Sequence, residues 1–196
     1  MANTLGVGRQ NSTLQPPPTA ASPQNLVANG LAFNLKGELF IADTARGAIW
    51  KIQFNPQGNL RSPVNCDTTF TVNTLCLSNI LIAHPLLEGA DGFVLDRSGS
   101  FWVAANERNA VIVFARNGQI IEIFRNLPDP ATGLRNAGPL EFPASPFING
   151  KTFCTSNSDG NRRDNSPRSA GEVNGTGKIS CMVDELKIPG LPLPVE

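Results

Sequence analysis

The 196-residue chain has a single histidine, His84, and charged residues make up only 16% of it, balanced to a formal net charge of zero. Balanced, sparse charge leaves no electrostatic footprint for nucleic acid or for an anionic membrane surface, so neither is expected as a partner. A lone histidine without a partner in reach is a poor general base, and His84 reads as structural. The Gly-x-Ser-x-Gly pattern of serine hydrolases is missing, which removes the most common sequence signal for a nucleophilic serine. No apolar run approaches the roughly 20 residues of a membrane span. The longest candidate, Leu75 to Leu87, is broken by His84-Pro85 and is not expected to form a helix of useful length. The four cysteines, Cys66, Cys76, Cys154 and Cys181, fit no zinc-binding spacing. They read as buried free thiols, with Cys66–Cys76, inside one loop, as the most plausible disulfide.

Glycine and proline are plentiful instead, 18 and 16 residues, which suits many short strands joined by tight turns. Residues 1–25 are polar, carry Pro16-Pro17-Pro18 and lack the apolar run of a signal peptide. They read as a disordered or extended leader, and residues 26–196 as the folded unit.

Within that unit one stretch occurs twice. Ala28-Asn29-Gly30-Leu31-Ala32-Phe33 through Ala42 aligns without a gap onto Ala90-Asp91-Gly92-Phe93-Val94-Leu95 through Ala104, at an offset of 62 positions. Gly30 falls on Gly92, Gly37 on Gly99, Phe40 on Trp102 and Arg46 on Arg108. Each copy alternates strand-forming runs with turn residues, ending in the second copy at the Asn117-Gly118 hairpin before Ile120. A third, divergent copy begins at a hairpin through Phe147 to Thr155 and ends in a strand at Lys178 to Val183. Four-stranded antiparallel meanders repeated along a chain predict an all-β fold, a β-propeller, with blades near residues 28–60, 90–125 and 140–185. Closed propellers have about four to eight blades, so three blades make a partial propeller. The chain is then a fragment of a larger ring with a missing N-terminal half, or self-associates, or is partly ordered.

At these residues the chain resembles the gluconolactonase / senescence marker protein / luciferin-regenerating enzyme family. The likeness runs from about Ala28 to the C-terminus and is sharpest in the two copied segments. It implies the second half of a six-bladed propeller that binds a divalent cation in its central channel and hydrolyses lactones or related esters. The family's ligands are Glu, Asn, Asn and Asp. Its Asn-Gly resembles Asn29-Gly30, and its Asp-Gly resembles Asp91-Gly92. By that resemblance Asn29 and Asp91 are metal ligands and Asp91 is also the catalytic base. No stretch here supplies the Glu or the second Asn.

The repeat supports the same pair on physical grounds. Matched positions in successive blades are related by rotation about the channel, so oxygen-bearing side chains there converge. Carboxylate and carboxamide oxygens suit a hard cation, calcium or magnesium more than zinc, with calcium the first expectation. Asn or Asp before Gly is also a common turn signal, which is the plain structural reading of both residues. The expected function is a metal-dependent lactonase-type hydrolase, or a segment of one, acting on a small lactone or ester. The alternative is a non-catalytic propeller scaffold of NHL-repeat type that binds a protein or a small ligand.

Overall fold

The computed structural model describes residues 28–44, 46–58, 60–61, 79–131, 133, 135, 138–158, 177–182 and 190. The residues read as a leader, and both Cys66 and Cys76, lie outside them. The described residues are all-β, with two single 3-10 turns, and contain no helix long and apolar enough to cross a membrane.

The first blade is a meander of β1 (Ala28–Phe33), β2 (Leu39–Asp43) and β3 (Ala48–Phe54), each antiparallel to the next. Its outer edge is shared. β4 (Leu60–Arg61) pairs with the end of β3, and β5 (Ile80–Ala83) pairs with its beginning. The second blade is a four-stranded meander of β6 (Ala90–Leu95), β7 (Phe101–Ala105), β8 (Ala110–Phe114) and β9 (Ile120–Arg125). β6 and β7 begin and end 62 positions after β1 and β2, so the sequence repeat is a structural repeat. The third blade has three described strands, β10 (Pro143–Asn149), β11 (Thr152–Asn157) and β12 (Ile179–Met182). The chain is therefore a partial β-propeller.

Alternating apolar residues give each sheet two faces, and the blades stack face to face through them. Phe40 of β2 meets Phe101 of β7 edge to face, with ring centroids 4.8 Å apart. Around that contact Ala42, Ile49, Phe93, Leu95, Val103 and Ile112 close the core between the first two blades. One blade further on, Trp102, which matches Phe40 in the repeat, packs on Phe153 of β11 at 5.7 Å. Matched bulky residues thus fill successive gaps between blades.

The cysteines correct the sequence reading. Cys154 and Cys181 are directly opposite each other on β11 and β12 and form a disulfide, across 27 positions of sequence. The free-thiol reading is thereby corrected for Cys154 and Cys181, whose adjacency comes from strand pairing that spacing alone does not reveal, whereas the Cys66–Cys76 bridge lies outside the described residues.

Candidate functional site

β1, β6 and β10 are the first strands of the three blades, and they lie side by side. Glycine makes this possible. A Cβ on Gly30 would stand 2.6 Å from the carbonyl oxygen of Asp91 and 2.6 Å from the Cα of Gly92. A Cβ on Gly92 would meet the Ala144 carbonyl and would lie 2.7 Å from Pro146 Cδ. Any larger residue would push the strands apart. The glycine that follows each candidate residue is thus the point where one inner strand touches the next. The backbone of Asn29-Gly30 is brought against that of Asp91-Gly92.

Both residues also sit in a β-bulge. Pairing of β1 with β2 shifts between Ala28 and Leu31, and pairing of β6 with β7 shifts between Ala90 and Phe93. A bulge places extra residues on one strand and re-aims their side chains out of the regular pleat. β10 has the same shift, between Pro143 and Pro146. Matching from the shift, the third blade presents Ala144 where the others have Asn29 and Asp91, so it offers no side-chain oxygen there.

Each candidate is held by a matched neighbour that the sequence reading missed. Asn29 Nδ2 donates to Thr44 Oγ1 at 3.3 Å. Asp91 Oδ2 accepts from Asn106 Nδ2 at 3.1 Å. Thr44 and Asn106 are themselves 62 positions apart, each the first residue after the second strand of its blade. That offset was available in the sequence as a signal. These bonds leave Asn29 Oδ1 and Asp91 Oδ1 as the oxygens that could face a ligand. Asn29 is exposed and Asp91 half-buried. Burial pushes the Asp91 carboxyl up to about 6, against the opposing effect of the Asn106 hydrogen bond.

The turn behind Asp91 is held by side-chain bonds to its neighbours. It is a 3-10 turn over Asn106–Arg108 that ends on Asn109, whose backbone is left-handed with φ 46°. The Asn109 side chain accepts from Phe142 N at 2.8 Å and donates to Arg135 O at 2.9 Å, tying this turn to the start of the third blade. Arg108 is clamped between Glu88 at 3.6 Å and Glu122 at 3.2 Å. Its repeat partner Arg46 instead pairs with Asp43 at 3.6 Å and lies over the Trp50 ring. His84 is structural here: its Nδ1 accepts from Leu86 N at 3.1 Å and caps a 3-10 turn.

Among the described residues no group of three or more His, Cys, Asp or Glu side chains could hold a metal ion. The candidate centre consists of one carboxylate and one carboxamide, a donor set that fits a hard cation in kind and fills only part of its coordination shell.

A three-bladed arc with stacked inner strands and paired polar residues at their starts defines a propeller-type protein. The sequence model of the SMP-30/gluconolactonase/LRE-like region matches residues 19–132, and the chain belongs to that family. No curated protein sequence matches the chain. Among solved structures it is similar to a luciferin-regenerating enzyme, with 15% identity and a TM-score of 0.52, covering 84% of this chain and 47% of that one. It is also similar to a protein described as a gluconolactonase, with 17% identity and a TM-score of 0.45, covering 85% of this chain and 41% of that one. A virginiamycin B lyase from Staphylococcus aureus shows 16% identity and a TM-score of 0.38, covering 76% of this chain and 44% of that one. The chain thus spans less than half the length of each of these solved relatives.

Proposed function

We propose that this chain carries part of the site of a metal-dependent hydrolase that opens lactones or related esters. The observation that supports the reading best is the packing of Gly30 against Asp91-Gly92, which sets Asn29 and Asp91 at matched positions on neighbouring inner strands. Asn29 and Asp91 would hold a divalent cation through one oxygen each, calcium first among the candidates because both donors are hard oxygens. The cation, when bound, polarises the ester carbonyl and makes water more acidic.

The chain's own residues do the rest. Asp91 Oδ1, which would face the cation through one lone pair, takes through the other a proton from the attacking water as that water adds to the lactone carbonyl, and the proton goes on to the ring oxygen that leaves. Burial raises the Asp91 carboxyl, which favours proton uptake, and a bound cation would act in the opposite direction. Asn106 holds the other oxygen, Oδ2, so the Asp91 side chain cannot rotate freely. Two protein ligands are few for an ion that takes about six to eight oxygens, so in this reading the remaining donors come from water or from outside the described residues.

The test is terbium luminescence and calcium calorimetry on the full chain, with hydrolysis of a δ-lactone followed by pH indicator. Asp91→Asn is expected to remove hydrolysis, with a loss of about 100-fold or more. Asn29→Ala is expected to weaken cation affinity about tenfold and to leave the rate at saturating cation largely intact. Full activity in Asp91→Asn would overturn the assignment. Hydrolysis absent from every form, with cation binding indifferent to both residues, would favour the scaffold reading.

A further inference from the structure

We propose that the cleft between the first two blades, at the end opposite Asn29 and Asp91, is a second binding site, for a small apolar molecule carrying one negative charge. The cleft lies where the β1–β2 and β6–β7 hairpins diverge, and it encloses about 400 Å³. That volume falls in the roughly 300–1,000 Å³ range of small-molecule sites. Asp91 and Leu95 stand at opposite ends of β6, so the two sites are separated by roughly 13 Å of strand.

The floor is apolar and fixed. Phe40, Leu95, Phe101 and Phe114 line it, and each is less than a tenth exposed because the same side chains form the core between the blades. Two further lining residues, Leu35 and Leu81, remain 76% and 39% exposed at the rim. A ligand with a flat apolar body would cover them at little cost in order, because the floor is already set.

The rim is cationic. Lys36, Lys51, Arg97 and Arg116 line the cleft against two carboxylates, Glu38 and Asp96. Both carboxylates are already engaged. Glu38 accepts from Lys51 at 2.6 Å and from Asn34 at 2.7 Å. Asp96 accepts from the Ser98 and Ser100 backbone amides, at 2.8 and 3.1 Å, and from Trp102 Nε1 at 3.0 Å. Lys36, Arg97 and Arg116 form no salt bridge among the described residues. The Arg116 stem lies over Gly99, where a Cβ would stand 2.8 Å from its Cδ, so the glycine gives the guanidinium its seat beside the cleft. Two arginines on the rim of an apolar floor favour a carboxylate on a hydrophobic body, since arginine forks match carboxylate geometry.

The experiment compares 2-naphthoate with its neutral isostere 2-naphthalenemethanol on the full chain, by calorimetry and by amide chemical shifts. Naphthoate is expected to bind and to shift the amides of Lys36, Gly37, Ser98 and Gly99. The alcohol is expected to bind at least about tenfold more weakly. Arg97→Gln combined with Arg116→Gln, which keeps most of both stems, is expected to cut naphthoate affinity about tenfold or more. Both arginines are exposed, so the double variant keeps the fold. Equal affinity for acid and alcohol, indifference to the double variant, or no shift in the hairpin amides at about 1 mM naphthoate would each overturn the proposal.

Discussion

The first and second blades share one sequence pattern and differ in what covers them. Leu31 and Phe33 of β1 are 63% and 57% exposed, whereas their repeat partners Phe93 and Leu95 of β6 are 5% and 3% exposed. The strands have the same length, the same bulge and the same register to their neighbours. The second blade has the first stacked on that face, and among the described residues no blade is stacked on the matching face of the first. Burial here belongs to the stack of blades, and alternation within a strand only prepares a face for it.

The largest effect expected from this contrast is in stability. Phe93→Ala should cost about 3–5 kcal/mol in urea unfolding, because it empties a buried position in the core between the first two blades, where it also packs on Phe101 of its own blade. Leu31→Ala, at the matched position, should cost about 1 kcal/mol or less. A comparable loss at Leu31 would break the contrast and show that this face is covered in solution.

Glycine sharpens it further. Gly92→Ala, which drives a Cβ into the backbone of β10, should cost about 1–3 kcal/mol, as overpacking does. Gly37→Ala has open space around it and a φ of +73°, so only the left-handed backbone opposes the change, at about 1 kcal/mol. The two variants should also separate in calcium affinity, which falls with Gly92→Ala and stays with Gly37→Ala. Equal losses in both would deny the inner-strand contact its role in aligning the site.

A further contrast lies in the pH dependence of Asp91. Its carboxyl is raised from 3.8 to about 6 by burial, so the folded state binds a proton more tightly than the unfolded chain does. Below about pH 4 both states are protonated and no penalty exists. As pH rises the unfolded chain ionises first, and the folded state loses stability until pH passes about 6. With cations chelated, Asp91→Asn should therefore be more stable than the native protein by about 2 kcal/mol above pH 7, allowing for partial solvent screening. The advantage should vanish below about pH 4. A gain that is constant across pH would place its cause elsewhere.

Much of the fold was legible because the repeat is ungapped: an offset of 62 positions maps β1 and β2 onto β6 and β7 residue for residue. The polar residue before the repeated glycine was legible for the same reason. What the glycine does was harder to read, because close approach of Gly30 to the Asp91 carbonyl is a relation between blades. Thr44 and Asn106 were missed because a polar residue after a strand looks like any turn residue until its partner across the bulge is known. The third copy lost its match at the site: after the register shift it carries Ala144, and the two β10 prolines hide the alignment. The cleft at the hairpin end was illegible for a different reason. Its cations come from four separate turns and strands, and no single stretch of sequence is basic.

The Cys154–Cys181 bond has a consequence for the unfolded chain. It ties off the intervening segment, 27 positions from end to end, as a closed loop in both the folded and the unfolded states. In the chain-entropy account, such a closure removes about 3–4 kcal/mol of disorder from the oxidised unfolded ensemble. Without the bond, lengthening that loop would raise the cost of bringing β11 to β12, by about 0.6 kcal/mol for each doubling. In the oxidised chain the bond keeps Cys154 and Cys181 together whether or not the strands are paired. The length and composition of the loop are then free to drift, and the sheet pays nothing for the change.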